Sequence, residues 1–122
     1  MREVLIVEDD KEMQEIYKDM FSAEKKGYEI VMANDGVVAL RKLKEKKFDL
    51  IILDIIMEPI AGDSFFAYVR NDIKVMNIPI IVVSVLSPAT LDHLKKINHV
   101  HFLQKPISKE GLFKKINEVL EQ

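Results

Sequence analysis

The 122-residue sequence has no cysteine. Neither a disulfide framework nor a thiolate metal site is available, which mildly favours a reducing compartment. Long apolar runs are missing too: none approaches the ~20 residues needed to span a bilayer. Met1-Arg2-Glu3 leads at once into a short apolar segment flanked by acids, where no signal peptide fits. There is little excess charge of either sign, since 18 basic against 20 acidic residues leave a net charge of −2. That balance argues against non-specific binding to nucleic acid or an anionic membrane, both of which want a positive surface. Repeats, low-complexity tracts and Pro/Gly/Ser linkers are likewise absent. The 48% of hydrophobic residues suffice for one core without staples. The expectation is a single cytoplasmic domain over residues 1–122, with no second domain in the chain.

Five short runs rich in β-branched residues stand out: Val4 to Val7, Tyr28 to Met32, Leu50 to Leu53, Ile78 to Val83 and Val100 to Leu103. Between them, apolar residues recur at helical spacing. The sets are Met13, Ile16, Tyr17, Met20 and Phe21; Val37, Leu40 and Leu43; Phe65, Phe66 and Val69; Leu91, Leu94 and Ile97; and Leu112, Ile116 and Leu120. Strand followed by helix, five times over, implies a doubly wound α/β fold with one parallel sheet covered on both faces. Leu50 to Leu53 is apolar at every position, as a strand buried on both faces should be. Asn34-Asp35-Gly36 suits the start of the second helix and Ser87-Pro88 that of the fourth. Asn98 suits a left-handed stop, and Ser108 is a good N-cap despite lacking the Glu of a full capping box.

In such a sheet, ligands bind beyond the carboxyl ends of the strands, where strand order reverses. Right-handed crossovers then bring Glu8-Asp9-Asp10, Asp54, Ser84 and Lys105-Pro106 to one edge. Strand two ends in Ala33-Asn34 and offers nothing obvious. Two like charges ~4 Å apart repel by about 4 kcal/mol at an effective dielectric of 20, so a gathered acidic group calls for protonation or a cation. Oxygen donors alone favour Mg²⁺ (or Mn²⁺). Carboxylate, metal, hydroxyl and ammonium together make a site for a phosphoryl group on an aspartate.

These segments give the chain a close resemblance to response-regulator receiver domains, of CheY-like, flavodoxin-like (βα)5 fold with strand order 2-1-3-4-5. It is carried by Leu5-Ile6-Val7-Glu8-Asp9-Asp10, by Phe48-Asp49-Leu50-Ile51-Ile52-Leu53-Asp54 with Gly62 eight residues on, by Pro79 to Ser84, and by Phe102-Leu103-Gln104-Lys105-Pro106. The resemblance implies that Asp54 is the phosphoacceptor of a two-component phosphorelay. Asp9 would bind Mg²⁺ directly, Glu8 nearby or through water, and the backbone carbonyl of Ile56 would complete the protein's ligands. Ser84 and Lys105 would bond the phosphoryl, Lys105-Pro106 would commonly be cis, and Phe102 would report the change to the face made by the fourth helix, fifth strand and fifth helix. The implied partners are a sensor histidine kinase or histidine phosphotransfer protein and an unidentified effector, with a phosphorylation-linked dimer allowed and no direct binding to nucleic acid or membrane. Such a domain assists its own phosphorylation and dephosphorylation without being an enzyme in the usual sense.

Blander roles fit other residues. Asp10 reads as a helix cap, the methionines as packing, Lys42 to Lys47 and Lys114-Lys115 as solvated faces, and His93, His99 and His101 as surface or strand residues. The family usually has proline where Glu58 precedes Pro59, and a very small residue where Val85 follows Ser84. Ile56 and Leu86 are apolar where water-positioning groups are common, so a long-lived phospho-form is expected. Asn98-His99-Val100-His101 replaces the usual run before Phe102. Rival readings are a flavin carrier, an aspartyl phosphatase, which generally wants an acid where Ile56 stands, and a phosphorylation-independent pseudo-receiver that keeps the fold as an interaction module.

Overall fold

In the computed structural model, residues 1–25, 27–54, 65, 68–69, 71–72, 77–85 and 99–121 are described. They form strands β1 (Arg2–Val7), β2 (Tyr28–Ala33), β3 (Leu50–Asp54), β4 (Ile80–Ser84) and β5 (Val100–Gln104). Among the described residues there are three continuous helices: α1 (Lys11–Ser22), α2 (Gly36–Glu45) and α3 (Lys109–Leu120). The strands make one parallel sheet in the order β2-β1-β3-β4-β5, the expected doubly wound topology. None of the described helices is long and apolar enough to cross a membrane.

Strand side chains alternate between faces, and both faces are covered, which is why the central runs are apolar throughout. Leu5, Val7, Ile51, Leu53, Ile80 and Val82 pack against Ala39 and Leu43 of α2, with Phe65 and Val69 in the same cluster. The intervening residues, Val4, Ile6, Leu50, Ile52, Ile81 and Val83, pack with Tyr17 and Phe21 of α1 and with Leu112, Phe113, Ile116 and Val119 of α3. Phe65, Tyr68 and Val69 are helical, in keeping with the third apolar set. Phe66, Leu91, Leu94, Ile97, Ser87-Pro88 and Asn98 lie outside the described residues.

Each helix starts on an acceptor that satisfies an otherwise unpaired N–H. Asp10 accepts from Glu12, Asp35 from Val38 and Ser108 from Gly111. A Cβ at Gly111 would lie 3.1 Å from Ser108 Oγ, so the small residue lets this cap close tightly. Ahead of β5, His99 takes the left-handed conformation, with φ 64°.

Two helical phases differ from the sequence pattern. Val37 is 49% exposed, and α2 instead buries Gly36, Ala39 and Leu43. Ile16 is 43% exposed, and α1 buries Tyr17 and Phe21. A small residue at position 39 lets the α2 backbone lie close to the sheet, which rotates Val37 outward. Val37→Ala is therefore expected to change stability by less than about 0.5 kcal/mol, helped by alanine's helix propensity. Ala39→Leu should cost ~1–3 kcal/mol through overpacking. Urea unfolding midpoints of the two variants check this; equal costs would mean the phase assigned to α2 is wrong.

Candidate functional site

Parallel register lays out the site. Val7 is paired with Leu53 and Asp54 with Val83. One residue beyond these rungs, Glu8 leaves β1 beside Asp54, and Ser84 ends β4. Ser84 pairs with Gln104, so Lys105 follows on β5, its backbone N–H donating to the Ser84 carbonyl at 2.8 Å. The Lys105-Pro106 bond is cis.

The carboxylate oxygens of Glu8, Asp9 and Asp54 come within 4.8 Å of one another. Lys105 Nζ donates to Asp54 Oδ2 at 3.3 Å and stands 3.7 Å from Glu8 Oε1. Glu8 is 1% exposed, whereas Asp9 is exposed and Asp54 half-buried. Glu8 Oε2 accepts the Asp10 N–H at 3.2 Å, but Glu8 Oε1 is buried with no hydrogen-bond partner. Burial, reinforced by the charges of Asp54 and Asp9 and opposed by the Asp10 N–H and Lys105, pushes the Glu8 carboxyl up to about 7. Burial likewise pushes up the Tyr17 phenol beneath the site, with the negative charges of Glu8 and Asp54 adding to the effect.

An acidic cluster with one buried carboxylate oxygen that accepts no hydrogen bond fits a hard divalent cation: all the side-chain donors are oxygens, and Glu8 Oε1 has only the Lys105 ammonium, at 3.7 Å, beside it. Ser84 is 2% exposed at the end of β4. Phe102 is half-buried and packs in the cluster on the α2 side, on the rung opposite Val82. Val85 points outward. Asp10 is a cap, as expected. His101 lies half-buried in β5 with its imidazole held below its ordinary value, by burial first and then by Lys115 and His99. Ile56, Glu58, Pro59, Leu86 and His93 lie outside the described residues.

Two residues at this edge escaped the sequence reading. Gln14 Nε2 donates to the Glu8 carbonyl at 2.6 Å and to Asn34 Oδ1 at 2.9 Å. The end of β2 is thus not idle, for Ala33 also accepts the Glu8 N–H at 2.9 Å. The available signal was positional: Gln14 stands one turn after a capping aspartate, where helical side chains lean back toward the N-terminus.

Residues 4–117 match the response regulator receiver domain family. Protein PilH of Pseudomonas aeruginosa is 30% identical over 122 residues, covering 98% of each chain. The CAI-1 autoinducer sensor kinase/phosphatase CqsS of Vibrio cholerae is 31% identical over 117 residues, 94% of this chain but only 17% of CqsS. The structure of the chemotaxis response regulator CheY4 of Vibrio cholerae superposes with a TM-score of 0.89 at 30% identity, covering 98% of this chain and 99% of that one. This chain belongs to the response regulator receiver domain family and is a CheY-like receiver of two-component signalling.

Proposed function

We propose that residues 1–122 act as one receiver domain in which Asp54 accepts a phosphoryl group and the covalent change alters the outer surface. The observation that carries this is the meeting of Glu8, Asp9 and Asp54 within 4.8 Å, with Lys105 bonded to Asp54. An Asp54 carboxylate oxygen attacks the phosphorus of a phosphohistidine on a sensor kinase or phosphotransfer protein. The P–N bond breaks and its electron pair leaves with the imidazole. Mg²⁺ (or Mn²⁺) held by Asp9, Asp54, Glu8 (directly or through water) and the Ile56 carbonyl would supply positive charge against the transferring oxygens. Lys105 neutralises a further oxygen, so the protein's contribution is positioning and electrostatics.

The product places extra charge and acceptor oxygens beside Ser84 and Lys105. New bonds from these two, at ~1.5–3 kcal/mol each for charged partners, approach the roughly 5.5 kcal/mol that turns a two-state element from mostly off to mostly on. Phe102 and the face around β5 and α3 carry the change to an effector. Ile56 and Leu86, apolar where water-positioning groups are common, favour slow loss of the phosphoryl, with the bulk of Val85 after Ser84 adding to the effect.

Incubation with Mg²⁺ and acetyl phosphate, read by intact mass, should add one phosphoryl to the native chain and none to Asp54→Asn. An unlabelled native chain would instead favour the pseudo-receiver.

The Glu8 carboxyl gives a second test. Below its ordinary value of 4.5, Glu8 is protonated folded or unfolded. Between 4.5 and about 7 the unfolded chain ionises while the folded one keeps its proton, so folding stability falls with rising pH and levels above that window. Urea midpoints in EDTA should show this decline in the native chain and lose it in Glu8→Gln, which should be the more stable of the two at pH 8. Parallel pH profiles for both proteins would contradict the assignment.

A further inference from the structure

Gln14 stands one turn into α1, its own N–H donating to Asp10 at 2.9 Å. Its side-chain Nε2 is shared between the Glu8 carbonyl at 2.6 Å and Asn34 Oδ1 at 2.9 Å. Both partners are oxygens, so only the NH₂ end of the amide can occupy this place, and both of its hydrogens are used. Glu8 is thereby held at both backbone groups. Its N–H donates to Ala33, and its carbonyl is gripped by Gln14. That carbonyl belongs to the planar peptide joining Glu8 to Asp9. Fixing the plane constrains ψ of Glu8 and φ of Asp9 together, and with them the directions in which both carboxylates leave the backbone. Each end of the strut is anchored on a capped helix. Asp10, which receives the Gln14 N–H, caps α1, and Asn34 immediately precedes Asp35, which caps α2.

We infer that Gln14 is a positioning residue for the Glu8–Asp9 pair, a strut from the second strand's end that presets the two acids for a divalent cation. The inference rests on the metal-assisted acceptor reading above. Like charges gathered at one edge push one another apart, and a hinge at the Glu8–Asp9 peptide is where they would yield. The strut denies them that movement before the cation arrives, so its removal is felt as weaker binding rather than as altered chemistry. Hydrogen-bond partners that orient metal ligands typically change affinity 10–100-fold when removed. Gln14 acts through a backbone carbonyl rather than on a ligand side chain, which puts the expectation at the low end.

Calorimetric titration of Mg²⁺ into the full chain provides the test. Gln14→Met keeps length and loses both donors; it should weaken Mg²⁺ binding roughly tenfold. The Mg²⁺ concentration for half-maximal labelling by acetyl phosphate should rise by the same factor, while the labelling rate at saturating Mg²⁺ stays within about two-fold. Asn34→Leu removes one arm of the strut and should give a smaller loss, whereas Asn34→Asp keeps an acceptor and should bind no more weakly than the native chain. A merely structural role would lower the urea midpoint in EDTA and leave Mg²⁺ affinity alone. If the native chain binds Mg²⁺ and Gln14→Met binds it equally well, the inference falls and the acceptor reading stands. If the native chain binds no Mg²⁺, both fall.

Discussion

Three carboxylates brought within 4.8 Å of one another impose the constraint around which this edge of the molecule is arranged. The Lys105 ammonium faces two of them. It cannot balance all three, and Glu8 meets part of the shortfall by keeping its proton to about 7. Fully ionised, the cluster would repel itself by several kcal/mol at the effective dielectrics found in proteins. The fold tolerates this because the acids sit where the sheet ends and solvent begins, with only Glu8 fully buried. A site built this way stores unfavourable charge that a cation relieves, and cation affinity then comes from pre-existing crowding rather than from rearrangement. The bond from Lys105 to Asp54 matters for the same reason, since it sets a positive charge against the Asp54 carboxylate; in the proposed reaction the phosphoryl would take that bond over.

Much of this was legible in the sequence because a doubly covered parallel sheet leaves an unusual trace. Ile51 and Ile52 are adjacent yet face opposite layers, so an uninterrupted aliphatic run could only be a central strand. Once five β-branched-rich runs were in order, the residues just past them were expected to meet. Asp54, Glu8 and Lys105 followed from chain topology alone. Helical phase was less readable. Val37 fits a spacing pattern as well as Ala39 does, and the choice between them depends on how closely α2 approaches the sheet, which is a matter of packing rather than periodicity. Gln14 and Asn34 were illegible for a different cause. A side chain bonded to a backbone carbonyl leaves no complementary residue type in the sequence to pair it with, and polar residues near helix starts have ordinary solvated roles.

The two edges of the sheet are held differently, and that difference bears on how a receiver of this kind would switch. At one edge, β2 is locked to the acidic loop twice, through Ala33 and through the amide of Gln14. At the other, β5 is tied to the site by the backbone bond from Lys105 to Ser84, by the Gln104 amide on the Val85 carbonyl at 3.3 Å and by the Lys105 ammonium on Asp54. A phosphoryl that drew Ser84 and Lys105 inward would pull on the ends of β4 and β5, which carry them, and not on β2. Phe102 and Leu103 precede Lys105 on β5 and belong to opposite layers, so a shift of β5 would reach both faces at once. On this view the β1–β2 side would serve cation binding and the β4–β5 side output. Separating the two lets the charge problem at Asp54 be solved without freezing the surface that must move.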